Sequence, residues 1–72
     1  MYGKIAFGKI AFQYFGHHVE LQPMASARGW YVGTADPLDG TPLSRESLEY
    51  FATEEAATEA LNTGAWTQRA HP

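Results

Sequence analysis

The sequence predicts an α+β fold: an antiparallel β-meander of four to five strands with one C-terminal helix packed on one face. Three observations predict it. Tyr2, Phe7, Phe12, Tyr14, Phe15, Trp30 and Tyr31 crowd the first 31 residues, in alternating patterns that suit strands. Gly29, Gly33, Pro37, Gly40 and Pro42 punctuate the middle with turn residues. Alanine and glutamate dominate residues 52–61, a composition that favours helix.

The elements follow in order. Gly3-Lys4-Ile5-Ala6-Phe7 is repeated at once as Gly8-Lys9-Ile10-Ala11-Phe12. A period of five would put the two copies on opposite faces of one straight strand. A two-residue turn at Gly8-Lys9, with glycine first, removes the conflict. Phe7 then pairs with Ile10, and Ile5 with Phe12. Gly16-His17 predicts a second such turn, setting Phe12 opposite Leu21 and Tyr14 opposite Val19. Residues 26–29 read as a loop that brings Ala25 opposite Trp30 and Pro23 opposite Val32. Pro23 suits an edge strand, because it has no N–H to donate.

This pairing defines two faces. The inner one carries Ile5, Phe7, Ile10, Phe12, Tyr14, Val19, Leu21, Trp30 and Val32. The outer one carries Lys4, Gln13, Phe15, His18, Glu20, Gln22 and Tyr31. Residues 36–42 form a turn-rich loop. Leu48 to Phe51 reads as a short final strand, with an early helical turn as the alternative. Thr53 is a good helix N-cap, and Glu54 and Glu55 sit where the helix dipole favours negative charge. Ala56, Ala57, Ala60 and Leu61 form a small-residue face, and Gly64 suits the end of the helix. Trp66 folds back over the core edge. Residues 1–66 are thus one domain, and residues 67–72 a mobile C-terminal tail.

Composition bounds the function. Seventy-two residues, 44% hydrophobic and 14% aromatic, argue against a disordered chain. Without cysteine, neither a disulfide framework nor a thiolate metal site is available. No apolar run reaches the roughly 20 residues of a membrane span, and the N-terminus lacks a signal-peptide pattern. The expectation is a soluble, cytoplasmic protein with no membrane association.

The net charge of −3 is unevenly placed. Residues 1–35 carry a balance of +2, from Lys4, Lys9 and Arg28 against Glu20. Residues 36–63 carry −6, from Asp36, Asp39, Glu46, Glu49, Glu54, Glu55 and Glu59 against Arg45. An acidic half of this kind serves solubility, or it occupies the basic groove of a nucleic-acid enzyme as an inhibitor.

Chemistry-bearing patterns are few. His17-His18-x-Glu20 places an imidazole and a carboxylate on one strand face, yet a catalytic zinc site needs three protein ligands. His71, in the tail, is the remaining histidine. No serine stands in a Gly-x-Ser-x-Gly elbow, and no phosphate-binding glycine loop exists. The expectation is no enzyme and no cofactor. Tyr2, Phe15 and Tyr31 with Lys4, Lys9 and Arg28 have the residue types of a weak single-stranded nucleic-acid binder. So few cations limit that affinity, which scales with the phosphates neutralised.

Gly29-Trp30-Tyr31-Val32, then Glu49-Tyr50-Phe51-Ala52-Thr53-Glu54-Glu55-Ala56, then Ala60-Leu61, resembles short strand–strand–helix domains of uncharacterised bacterial and phage proteins. The shared pattern is a Gly-Trp-x-Val strand, then Phe-x-Thr-x-Glu-Ala opening a helix. The chain is similar, more distantly, to the arm-binding domains of phage integrases, a three-stranded sheet with a helix. The resemblance covers about residues 18–62 and carries over no functional residue. The basic residues of the arm-binding pattern are missing here.

The reading that follows is a small accessory or interaction protein. It binds a protein partner or a second copy of itself through a sheet edge or the outer face, where Phe15, His18, Glu20 and Tyr31 gather.

Overall fold

A computed structural model describes residues 6–72. In chain order the elements are α1 (Lys9–Phe15), β1 (Gln22–Ser26), β2 (Gly29–Ala35), β3 (Pro42–Arg45) and α2 (Glu54–Thr63). The layout is α+β, but the expected architecture is corrected. A three-stranded antiparallel sheet of order β1-β2-β3 with two helices replaces the four- to five-stranded meander with one helix.

The difference lies in residues 8–19. Gly8 has φ −73° and ψ 118°, not the positive φ that the expected turn needs, and it leads into α1. Gly16 does have a positive φ, 70°, but it closes a helix rather than a hairpin. Its N–H donates to the Phe12 carbonyl at 3.1 Å, and the His17 N–H donates to the Ala11 carbonyl at 3.0 Å. That pair is the usual way a left-handed glycine ends a helix. A glycine with positive φ serves both structures, so the local signal does not separate them.

With α1 in place, Ile10 and Ala11 are buried and Phe12, Tyr14 and Phe15 are exposed. The expected pairings Phe7–Ile10, Phe12–Leu21 and Tyr14–Val19 are therefore absent. Phe7 instead bridges Glu20, flanked by bonds from the Gly8 N–H to the Val19 carbonyl (2.9 Å) and the Leu21 N–H to the Ala6 carbonyl (2.8 Å). The expectations for Tyr2, Lys4 and Ile5 lie outside the described residues.

Between β1 and β2 the structure follows the expected register, whereas β3 at Pro42–Arg45 is a strand the sequence reading does not predict. Ala25 faces Trp30 and Pro23 faces Val32. Pro23 lies in β1, which ends the strand order, where its missing N–H does least harm. β2 is central, and Tyr31, Val32, Gly33 and Thr34 are all buried along it. Leu48 to Phe51 forms no named strand. Only Phe51 pairs there, exchanging two backbone bonds with Trp30 at 2.8 and 2.6 Å.

The α2 helix starts and stops where expected. The Thr53 hydroxyl accepts the Ala56 N–H at 3.1 Å, and Glu54 and Glu55 occupy the first turn. Gly64, with φ 78°, ends the helix. Ala57 and Ala60 are buried as α2 packs on β1 and β2, while α1 packs on β3. Among the described residues, no helix is long and apolar enough to cross a membrane.

Candidate interaction face

The aromatic residues expected in the interior are mostly outside it. The buried apolar set is Ile10, Ala11, Leu21, Tyr31, Val32, Ala57 and Ala60, most of it small or medium in size. Phe7, Phe12, Tyr14 and Phe15 are 45%, 58%, 51% and 46% exposed. They belong to α1 and to the segment leading into it.

Two of these rings gather on His18. The Phe7 ring lies 4.0 Å from the imidazole, centroid to centroid, tilted by 33°. The Phe12 ring meets it edge-on at 5.8 Å. Such contacts fix ring orientation and contribute roughly 0.5–1.5 kcal/mol each between aromatic pairs. Glu20 is exposed and bridges Phe7 through the backbone, so it borders the same face.

Of the residues expected on the interaction surface, Phe15, His18 and Glu20 are exposed. Tyr31 is not with them. It is 7% exposed and meets the Tyr50 ring edge-on at 6.1 Å. Burial raises the Tyr31 hydroxyl above its ordinary pKa; Tyr50 adds to the rise and Arg45 opposes it. The residues considered for stacking on bases are divided likewise: Phe15 is exposed, Tyr31 is buried, and Tyr2 lies outside the described residues.

Sequence reasoning missed the residue that holds this face in place. Glu46, counted above only as one of the acidic residues, is 0% exposed. Its Oε1 accepts the Ile10 N–H at 2.9 Å and the Gln68 side-chain amide at 2.8 Å. Its Oε2 accepts the Ala11 N–H at 3.0 Å and the Ser44 hydroxyl at 2.7 Å. An ionised carboxylate only accepts, so Ser44 donates its proton to Glu46. The 2.6 Å contact between Thr34 and Ser44 is then donated by Thr34.

Ile10 and Ala11 lie in the first turn of α1, and the N-cap residue Gly8 has no side chain to satisfy their N–H groups. Glu46 does so from 35 and 36 residues away in sequence. Burial alone would raise its pKa. The bonds from Ile10, Ser44, Gln68 and Ala11 outweigh that and hold it below the ordinary glutamate value. The same approach explains Gly8. A Cβ there would lie 2.5 Å from the Thr34 methyl and 2.7 Å from Glu46 Oε2. The one signal in the sequence was negative: Gly-Lys-Ile is a helix start without a capping side chain.

Several other acidic residues of the second half also have partners. Glu49 accepts the Thr67 N–H at 2.9 and 3.1 Å and its hydroxyl at 2.6 Å. Burial raises its pKa, and the Thr67 bonds together more than reverse that, leaving it lowered. Asp36 caps the Leu38 N–H at 2.8 Å, and Asp39 caps the Thr41 N–H at 3.0 Å. Glu54, Glu55 and Glu59 are left on the exposed side of α2. Much of the acidic run is therefore local scaffolding rather than a continuous charged surface.

A shallow cleft of about 510 Å³ lies beside β1, lined in part by Val19, Glu20, Pro23, Met24, Asp36 and Pro37. Its described lining includes two carboxylates but no histidine, serine or lysine, so no nucleophile–base pair converges there. Among the described residues, no group of three His, Cys, Asp or Glu side chains could hold a metal ion. Compared with known proteins, the chain matches no family model, no curated protein and no solved structure.

Proposed function

We propose that this protein is a small, non-enzymatic interaction module of the cytoplasm that docks on a protein partner through the aromatic face of α1 and its flanking segments. The exposed cluster of Phe7 and Phe12 against His18, with Phe15 beside them on α1, carries the reading. Three phenylalanine rings about half exposed, at about 200 Å² each, leave roughly 300 Å² open. That is the size of a functional patch on a small monomer. Two copies meeting face to face would cover about 600 Å² from these rings, well under half of what a stable interface buries. A partner of different sequence, with a pocket for one or two of the rings, fits better than a second copy.

The test is crosslinked capture with the full chain, run beside Phe12→Ser/Phe15→Ser and a control, Glu54→Gln/Glu55→Gln, together with the solution mass. A partner held by the wild type and the control but lost with the aromatic pair supports the proposal. The same partner recovered equally by the aromatic double variant overturns it. So does a strict monomer that recovers nothing.

A further inference from the structure

Glu46 joins three stretches of chain that are far apart in sequence. Through its carboxylate it holds the start of α1 at Ile10 and Ala11, Ser44 in β3, and Gln68 near the C-terminus. Its backbone carbonyl also accepts the Arg69 N–H at 2.8 Å. Residues 67–69 run antiparallel to residues 46–48, bridged at Ser47 and Gln68, with the Leu48 N–H donating to the Thr67 carbonyl at 2.8 Å. Residues 67–69 thus lie against the residue that caps α1.

We propose that residues 67–69 act as a latch on α1, so that releasing the C-terminal segment loosens the helix that carries the aromatic face. The coupling has a specific path. Oε1 is shared between the Gln68 amide and the Ile10 N–H. While Gln68 is bound, that oxygen is aimed and shielded from water. Once the segment lifts, water takes the Gln68 position and competes for the carboxylate, and the Ile10 and Ala11 N–H groups lose a fixed acceptor. α2 lies outside this path, because its N-terminus is capped by its own Thr53. The latch rests on these bonds alone and stands whether or not the aromatic face is a docking site.

Native-state amide exchange on the full chain tests it. Gln68→Ala removes the shared donor while leaving Glu46 intact. The expected result is exchange at Ile10 and Ala11 faster by about fivefold or more, with Ala57 in α2 unchanged. Coupling between sites is reciprocal, so weakening α1 from its exposed side with Gln13→Gly should speed exchange at Leu48 and Arg69. Unchanged exchange at Ile10 and Ala11 in Gln68→Ala overturns the latch. So does an equal rise at Ala57, which would report global loss of stability. If Gln68→Ala does not fold, Gln13→Gly decides alone. Faster exchange at Leu48 and Arg69 but not Ala57 supports the latch, and any other pattern overturns it.

Discussion

The two helices of this protein are held by opposite means. α2 carries its own instructions: a Thr53 cap bonded to Ala56, two glutamates in the first turn, an alanine face and Gly64 at the end. α1 has none of its own at the start. Gly8 offers no cap, Lys9 puts a positive charge at the positive end of the dipole, and the helix is seven residues long. Seven residues are too few to be helical in isolation. α1 exists because Glu46, placed by β3, presents a carboxylate to its first free N–H groups. One helix is written locally, and the other is imposed by tertiary structure.

The sharpest way to break that contrast is Glu46→Ala. Ile10, Ala11 and Ser44 lose an acceptor in a buried place, and Gln68 in a half-buried one. The expected loss is at least about 3 kcal/mol, since each buried unsatisfied group costs about 1–3. A chain of this length has roughly 4–11 kcal/mol in total, so partial unfolding at 25 °C is expected, read by urea titration. Acid should act on the same residue. The folded pKa of Glu46 lies below its ordinary value. Its stabilising share is therefore complete above the unfolded value of about 4.3 and is lost as pH falls through the folded one. Glu49 contributes in the same direction. Glu46→Gln should flatten the fall in stability below about pH 4.3. A slope as steep as in the wild type would remove Glu46 from the account.

Gly8→Ala tests the same junction from the helix side. The new methyl would collide with the Thr34 methyl and with Glu46 Oε2, so either the helix or the carboxylate must move. The expected cost is about 1–3 kcal/mol, typical of overpacking. Alanine is also a poorer N-cap residue than glycine, so capping and collision act in the same direction. A variant as stable as the wild type or more so would show that neither operates at this junction.

The contrast also explains what was legible in the sequence. The cap at Thr53, the stop at Gly64 and the Ala25–Trp30 and Pro23–Val32 register all rest on neighbours or short turns, and all were readable. Residues 8–15 were not, because their partner is Glu46. The tandem repeat pointed to a hairpin, and the positive-φ glycine at 16 suits either a turn or a helix end. The inner-face aromatics differ for the same reason: once 9–15 is a helix, Phe12 and Tyr14 are exposed instead of lining the inner face of a sheet. Alternation along the chain suffices to put Phe15, His18 and Glu20 on the surface, where they are exposed. It puts Tyr31 there too, but β2 is central and buries it.

Thr53→Ala should be milder than either change at the α1 junction. It removes one side-chain acceptor at an exposed helix start, where water replaces it, and about 1 kcal/mol is expected. The loss should appear as faster amide exchange in the first turn of α2, with Ile10 and Ala11 unaffected. If Ile10 and Ala11 respond equally, the two helices do not have independent anchors.

The smallest expected effect is the most pointed, because it depends on sign. Lys9 and Glu54 each occupy the first helical position, one after Gly8 and the other after Thr53. The dipole rule alone favours acid at both, each worth about 0.3–1 kcal/mol at low salt. At α2 the rule applies as it stands, so Glu54→Lys should destabilise by a few tenths of a kcal/mol. At α1 the anion is already present, since the Glu46 carboxylate lies 2.9 Å from the neighbouring Ile10 nitrogen. Lys9→Glu would set a second negative charge beside it. It too should destabilise, by a similar few tenths, and added salt should weaken the effect. Thermal melts at low and high salt would show opposite charges preferred at equivalent positions of the two helices. If Lys9→Glu stabilised the protein, α1 would obey the local rule, and Glu46 would not supply the charge that its N-terminus uses.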